Sequence, residues 1–185
     1  MNRCFPGDLD SEVYEERLAA KVLEEIEGLK VIDLHSTKSK PTPFAFFIGD
    51  KTDMIRKTGV ERAVNLSYMP ETMMNYMNGI SIECGYQKSG KAVENAYRAV
   101  TNFLAAEGLI DRDYSLSSPE LFEIFDEAMG ENFDFKAENF RKVEEGEVYA
   151  VNCSKKKVAQ QDFHPILMST DGYDHKIGYK GRKLN

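Results

Sequence analysis

An α/β fold with a largely parallel sheet is the architecture this sequence predicts, and three observations predict it. Short apolar runs alternate with helix-period stretches from residue 11 to residue 108. Gly28, Gly59 and Gly108 stand where those stretches should end, at positions that favour a left-handed residue. After residue 110 the helical period gives way to short apolar runs broken by turn residues, which predicts a small β-rich unit. The expected division is therefore an α/β domain over 1–110 and a β-rich C-terminal domain over 111–185.

The elements follow in chain order. Residues 1–10 (MNRCFPGDLD) are an irregular opening rich in turn formers. From Ser11, a good N-cap, Tyr14, Leu18, Ala19, Val22, Leu23 and Ile26 repeat at helical spacing up to Gly28. Leu29 to Leu34 predicts the first strand, the Ser/Thr/Lys/Pro segment 36–43 a loop, and Pro43 to Ile48 a second strand. A short helix is expected over 51–58 and a strand over Val60 to Ser67. The Met-rich segment Met69 to Met77 reads either as core filling or as a pliable pocket wall, because the unbranched thioether suits both. Ile80 to Cys84 predicts a buried strand. Val93, Ala96, Tyr97, Val100, Phe103 and Leu104 then mark an amphipathic helix.

Asp111 to Pro119 is a polar linker. Beyond it lie the apolar runs Leu121–Phe125, Phe133–Phe135, Val148–Val151, Pro165–Met168 and Ile177–Tyr179. The stretch Leu121 to Met129 fits a strand and a helix equally well on periodicity.

Composition removes several classes of function. With 31 acidic against 24 basic side chains the formal charge is −7, which disfavours a phosphate-backbone partner, so no nucleic acid is expected. The basic run Lys155-Lys156-Lys157 reads as a solvated turn. Cys4, Cys84 and Cys153 are odd in number and form no C-x-x-C pair, which fits a reducing cytoplasm and neither a disulfide framework nor a thiolate metal knuckle. No apolar run approaches the roughly 20 residues of a membrane helix, and the N-terminus has no signal-peptide pattern. The expectation is a cytoplasmic protein without membrane contact.

Two strand ends carry the chemistry. Val31-Ile32-Asp33-Leu34-His35-Ser36-Thr37 would deliver one imidazole to a cleft, and Gly79-Ile80-Ser81-Ile82-Glu83-Cys84-Gly85 one carboxylate. A histidine at a strand end is commonly a hydrogen-bonded structural residue. Glu83 says more: inside an apolar strand an unpaired carboxylate is costly, so a metal, an arginine or a water is expected beside it, unless its role is purely structural. Cys84, with no histidine close in sequence, reads as an inert buried thiol. Ser36 has no G-x-S-x-G elbow around it.

Four stretches, in order, resemble the succinylglutamate desuccinylase/aspartoacylase family, zinc hydrolases with a carboxypeptidase-like fold. Asn2-Arg3-Cys4-Phe5-Pro6-Gly7-Asp8, with Tyr14 to Ala19 after it, resembles the family's N-R-x-F-P-G segment and following helix. Asp33-Leu34-His35-Ser36-Thr37 resembles its D-L-H-x-T strand end, and Ile82-Glu83-Cys84-Gly85-Tyr86-Gln87 its I-E-x-G-x-Q segment. Pro165 to Met168 with Gly172-Tyr173 resembles its C-terminal region. The resemblance spans essentially the whole chain. It implies a partial carboxypeptidase-like sheet, N-terminally incomplete, and hydrolysis of the amide bond of an N-acyl amino acid. His35 would be a zinc ligand, Glu83 the general base, and Asn2, Arg3 and Tyr173 substrate-binding residues.

Two departures qualify what it implies. The family's other two zinc ligands come from an H-x-x-E motif ahead of the Asn-Arg pair, where this chain has only Met1; neither His164 nor His175 begins such a motif. A catalytic zinc ordinarily keeps three protein ligands. The expectations are therefore a zinc deacylase whose sequence is N-terminally truncated, a non-catalytic binding or regulatory remnant of the fold, or a site completed across a homo-oligomer by His164 or His175. The family also places a substrate-binding arginine where this chain has Met73, and no Arg lies between Arg62 and Arg98. A less acidic or more apolar acyl-amino acid is implied.

Overall fold

The structure is a computed structural model that describes residues 4–68, 72–170 and 175–184. Helix α1 (Tyr14–Ile26) begins beyond Ser11, whose hydroxyl accepts from the Val13 amide in a turn ahead of the helix. Glu15 and Glu16 in its first turn suit the positive end of the helix dipole. Strand β1 (Val31–Thr37) follows, then β2 (Phe44–Phe47), α2 (Thr52–Thr58) and β3 (Arg62–Asn65). Gly59 stops α2 at φ 75°, a conformation that costs glycine nothing. A 3₁₀ turn, Met73–Asn75, precedes β4 (Gly79–Tyr86), and α3 (Gly90–Ala106) starts from Ser89, whose side chain accepts from the Lys91 amide.

The remaining elements are all strands: β5 (Glu120–Met129), β6 (Asp134–Phe135), β7 (Val148–Val151), β8 (Lys156–Val158), β9 (His164–Ile166) and β10 (Lys176–Lys183). The ambiguous stretch at Leu121 is thus a strand. Phe122 and Ile124 face one side of the sheet at a period of two, and β3 on one flank and β10 on the other satisfy its backbone.

Seven strands form one sheet in the order β1-β4-β2-β3-β5-β10-β9. The pairs β1/β4, β2/β3 and β3/β5 are parallel and β4/β2 is antiparallel, so the α/β part is mostly parallel, as expected. β10 and β9 then add on antiparallel. The sheet therefore continues across the 110/111 boundary, while β6, β7 and β8 make a small antiparallel sheet of their own. No helix among the described residues is long and apolar enough to cross a membrane.

The two faces of the large sheet are covered differently. Ala45, Phe47, Ala63, Ile80 and Ile82 face α2 and α3, and pack with Met54, Ile55, Ala99 and Phe103. On the opposite face Phe44, Phe46, Val64, Phe122 and Ile124 pack under Phe140, Ile166, Leu167 and Tyr179 from the C-terminal part, with Met74 and Met77 from the Met-rich segment. That second face positions the site. The C-terminal part roofs most of it, and the ends of β1 and β4 carry polar residues into the gap that is left.

Candidate functional site

Register decides what the two strand ends deliver. In the parallel pair β1/β4, His35 stands opposite Glu83 and Asp33 opposite Ser81. Side chains two apart share a face, so all four project from the face roofed by the C-terminal part. The imidazole and the carboxylate predicted from sequence are brought together. Ile32, Ile80 and Ile82 alternate with them and pack into the helical side, which fixes this register against a one-residue slip.

Asp33 organises the group. Its Oδ2 accepts from His35 Nε2 at 2.6 Å and from the Ser81 hydroxyl at 3.3 Å. With Nε2–H committed to Asp33, the lone pair of a neutral His35 ring sits on Nδ1. A carboxylate behind the far ring nitrogen is the usual way a metal-binding histidine is oriented. The hydrogen bond to Asp33 also raises the His35 pKa above its ordinary value, against the opposing effect of burial.

Glu83 is the other anomaly. Its Oε2 is buried and, among the described residues, has no hydrogen-bond partner. Burial raises its pKa, an effect that the nearby His35 partly offsets and Asp33 reinforces. A buried acceptor oxygen left open beside an oriented imidazole is a place for a proton. Cys84, next in the chain, points the other way, into the core under α3, and burial pushes its thiol up to about 11.

A cavity of about 140 Å³ opens on this group. Asp33, His35, Ser81 and Glu83 form one wall, while Phe46, Leu66, Met73, Met74, Ile124 and Leu167 form most of the rest, with Thr72 and Tyr179. In the described part of the Met-rich segment, Met74 is buried in the core and lines the cavity together with Met73.

The resemblance pointed to Asn2, Arg3 and Tyr173 as substrate-binding residues; all three lie outside the described residues. Among the C-terminal tyrosines, Tyr179 on β10 lines the cavity, and its hydroxyl accepts from Lys176 Nζ at 2.8 Å. Sequence reading passed over Asp33, Ser81 and Tyr179. For the first two the signal was present, since each stands two residues before a candidate on the same strand face. Tyr179 carried no such mark.

His164 and His175 do not join the group within one chain. His164 packs edge-on against Phe122 at 5.2 Å, and His175 pairs with Glu131 at 2.8 Å on the surface. Zinc chemistry needs more donors than one imidazole, and among the described residues no cluster of three His, Cys, Asp or Glu side chains could hold a metal. These residues thus bring one oriented imidazole beside a buried carboxylate, and do not close a zinc centre alone.

No protein-family model matches the chain, and no curated protein matches it in sequence. Solved structures match it over its full length. A succinylglutamate desuccinylase/aspartoacylase from Rhodobacter sphaeroides superposes with a TM-score of 0.76 at 15% identity, covering 100% of this chain and 67% of that one. The product-bound ectoine utilization protein EutE from Ruegeria pomeroyi gives 0.74 at 17% identity, with 100% and 67% covered. Murine aminoacylase 3 gives 0.74 at 12% identity, with 100% and 75% covered. The family resemblance read from the ordered motifs and the architecture thus coincide: this chain has the α/β fold of the succinylglutamate desuccinylase/aspartoacylase structures.

Proposed function

We propose that this chain carries the base-bearing part of a zinc-dependent deacylase that hydrolyses the amide bond of an N-acyl amino acid in the cytoplasm. One observation carries the reading: a buried Glu83 oxygen without a partner, directly across the β1/β4 pair from a histidine that Asp33 orients. The fold shared with desuccinylase, aspartoacylase and aminoacylase structures supports it. The three unpaired cysteines suit a reducing compartment.

Each residue then has a task. His35 offers Nδ1 as one zinc ligand, the other ligands coming from outside the described residues. Asp33, steadied by Ser81, fixes the imidazole's tautomer and angle. When bound, zinc would acidify a water and polarise the acyl carbonyl. In a completed site Glu83 would be the base for the attacking water and the acid for the departing amine; a carboxyl whose pKa burial has raised suits both roles. The Glu83 Oε2 is buried away from bulk water, and Arg3 and Asn2 are proposed to take the substrate's α-carboxylate.

The test supplies zinc and a panel of N-acyl amino acids and measures release of free amine. Turnover should fall at least about 100-fold in Glu83→Gln, as expected for loss of a general base. His35→Ala should retain less zinc after gel filtration than the wild-type chain. Turnover that survives Glu83→Gln, or zinc retention that His35→Ala leaves unchanged, would rule the proposal out.

A further inference from the structure

The distribution of polarity along the cavity says which part of a substrate goes where. Following one sheet face across neighbouring strands, the side chains are Asp33 and His35 on β1, Ser81 and Glu83 on β4, Phe46 on β2, Leu66 just after β3 and Ile124 on β5. Strands lie ~4.8 Å apart, so this series spans roughly 19 Å, polar for the first two strands and apolar for the rest. Met73, Met74 and Leu167 close over the apolar end.

We infer that the β2–β5 end of the cavity binds an apolar group of at most about six carbons attached to the amide, so that the substrate class is an N-acyl amino acid with a short aliphatic or aromatic appendage rather than a dicarboxylic one. The inference rests on the deacylase reading above and deepens it. Size supports the number. The whole cavity, polar wall included, holds about 140 Å³, and an apolar protein cavity of ~150 Å³ accommodates benzene, so six carbons is an upper bound for its apolar end.

Charge supports the polarity. Among the described lining residues there is no Lys or Arg, and the only charged groups besides His35 are the acids Asp33 and Glu83. A second substrate carboxylate there would lose its hydration without gaining a cation, and would face two like charges. Lys176 is committed elsewhere, to Glu127 and to the Tyr179 hydroxyl, both at 2.8 Å. Methionine on the closing wall lets the end of the cavity adapt to branched or ring shapes.

The apolar group has two possible origins, the acyl chain or the amino-acid side chain, and the experiment separates them. The wild-type chain is titrated calorimetrically, with chelator present to prevent turnover, against N-acetyl-, N-butanoyl- and N-hexanoylglycine, N-succinylglycine and N-acetylphenylalanine. If the acyl chain occupies the cavity, affinity rises roughly fourfold per methylene from acetyl to hexanoyl, on the order of 100-fold in all. If the side chain occupies it, N-acetylphenylalanine gains by a similar factor over N-acetylglycine while the acyl series stays flat. Either result supports the proposal.

Succinyl and butanoyl groups have the same carbon count, so N-succinylglycine binding as tightly as N-butanoylglycine, or more tightly, overturns it and leaves the deacylase reading standing. Binding of no compound overturns both. Met73→Arg places a cation in the wall and should reverse the butanoyl-over-succinyl preference. Met73→Phe, which adds bulk and no charge, should weaken the largest ligand at least tenfold and keep the butanoyl-over-succinyl preference in its wild-type direction.

Discussion

Replacing Glu83 by glutamine should make the metal-free protein more stable while removing its activity. The side chain keeps its shape, but the buried Oε2 that finds no partner among the described residues no longer carries charge. Leaving a buried charged acceptor unsatisfied costs on the order of 1–3 kcal/mol, and a neutral amide recovers part of that, about 1–2 kcal/mol. For a chain of 185 residues this corresponds to a rise of roughly 2–8 °C in melting temperature. The gain depends on pH in a definite direction. Burial raises the Glu83 pKa above its ordinary value of 4.5, so the folded chain keeps this proton to higher pH than the unfolded chain does. Stability is then greatest at acid pH and falls as pH rises from the unfolded pKa through the folded one. Melting curves of both proteins in chelator, from pH 5 to pH 8.5, should show a gap that is widest at pH 8.5 and closes on acidification. A glutamine variant no more stable than wild type at pH 8.5, or a gap independent of pH, would refute the claim that this carboxylate is held at a cost.

Other expectations can be checked beside it. Asp33→Asn removes the carboxylate charge behind the hydrogen bond that raises the His35 pKa, so the His35 ring resonance followed by NMR should titrate at lower pH; the pair's contribution to wild-type stability is present below the ordinary histidine pKa of 6.5 and is lost as pH rises through the folded value. Cys84, pushed up to about 11, should react with a thiol reagent at pH 8 roughly two orders of magnitude more slowly than the exposed Cys153, and at a comparable rate once the chain is denatured. Phe122→Ala should cost about 3–5 kcal/mol in urea unfolding, because Phe122 is 1% exposed and supports Phe140 across a 5.3 Å ring contact. Gly178→Ala should cost about 2–3 kcal/mol, since a Cβ there would stand 2.7 Å from the Met168 Cα at a backbone φ of 155°.

The sequence by itself determined the local elements and the chemistry that each strand could carry. Apolar periodicity placed α1, α3 and the first four strands near their observed bounds, because burial on one face leaves a period in the chain. The strand-end motifs named His35 and Glu83 because an ionisable side chain inside an apolar strand is conspicuous locally. What the sequence left open depends on neighbours far along the chain. Residues Leu121 to Met129 became a strand because β3 and β10 flank them, partners lying 58 residues back and 47 to 61 residues ahead in the chain. His35 meets Glu83 through a register set by packing under α2 and α3, and no spacing between positions 35 and 83 encodes it. Tyr179 reaches the cavity only because β10 pairs antiparallel with β5, and Leu167 because it follows β9 directly on the same sheet. Local sequence sets what a strand carries; which strands become neighbours is a property of the whole buried surface, and only the tertiary structure decided it.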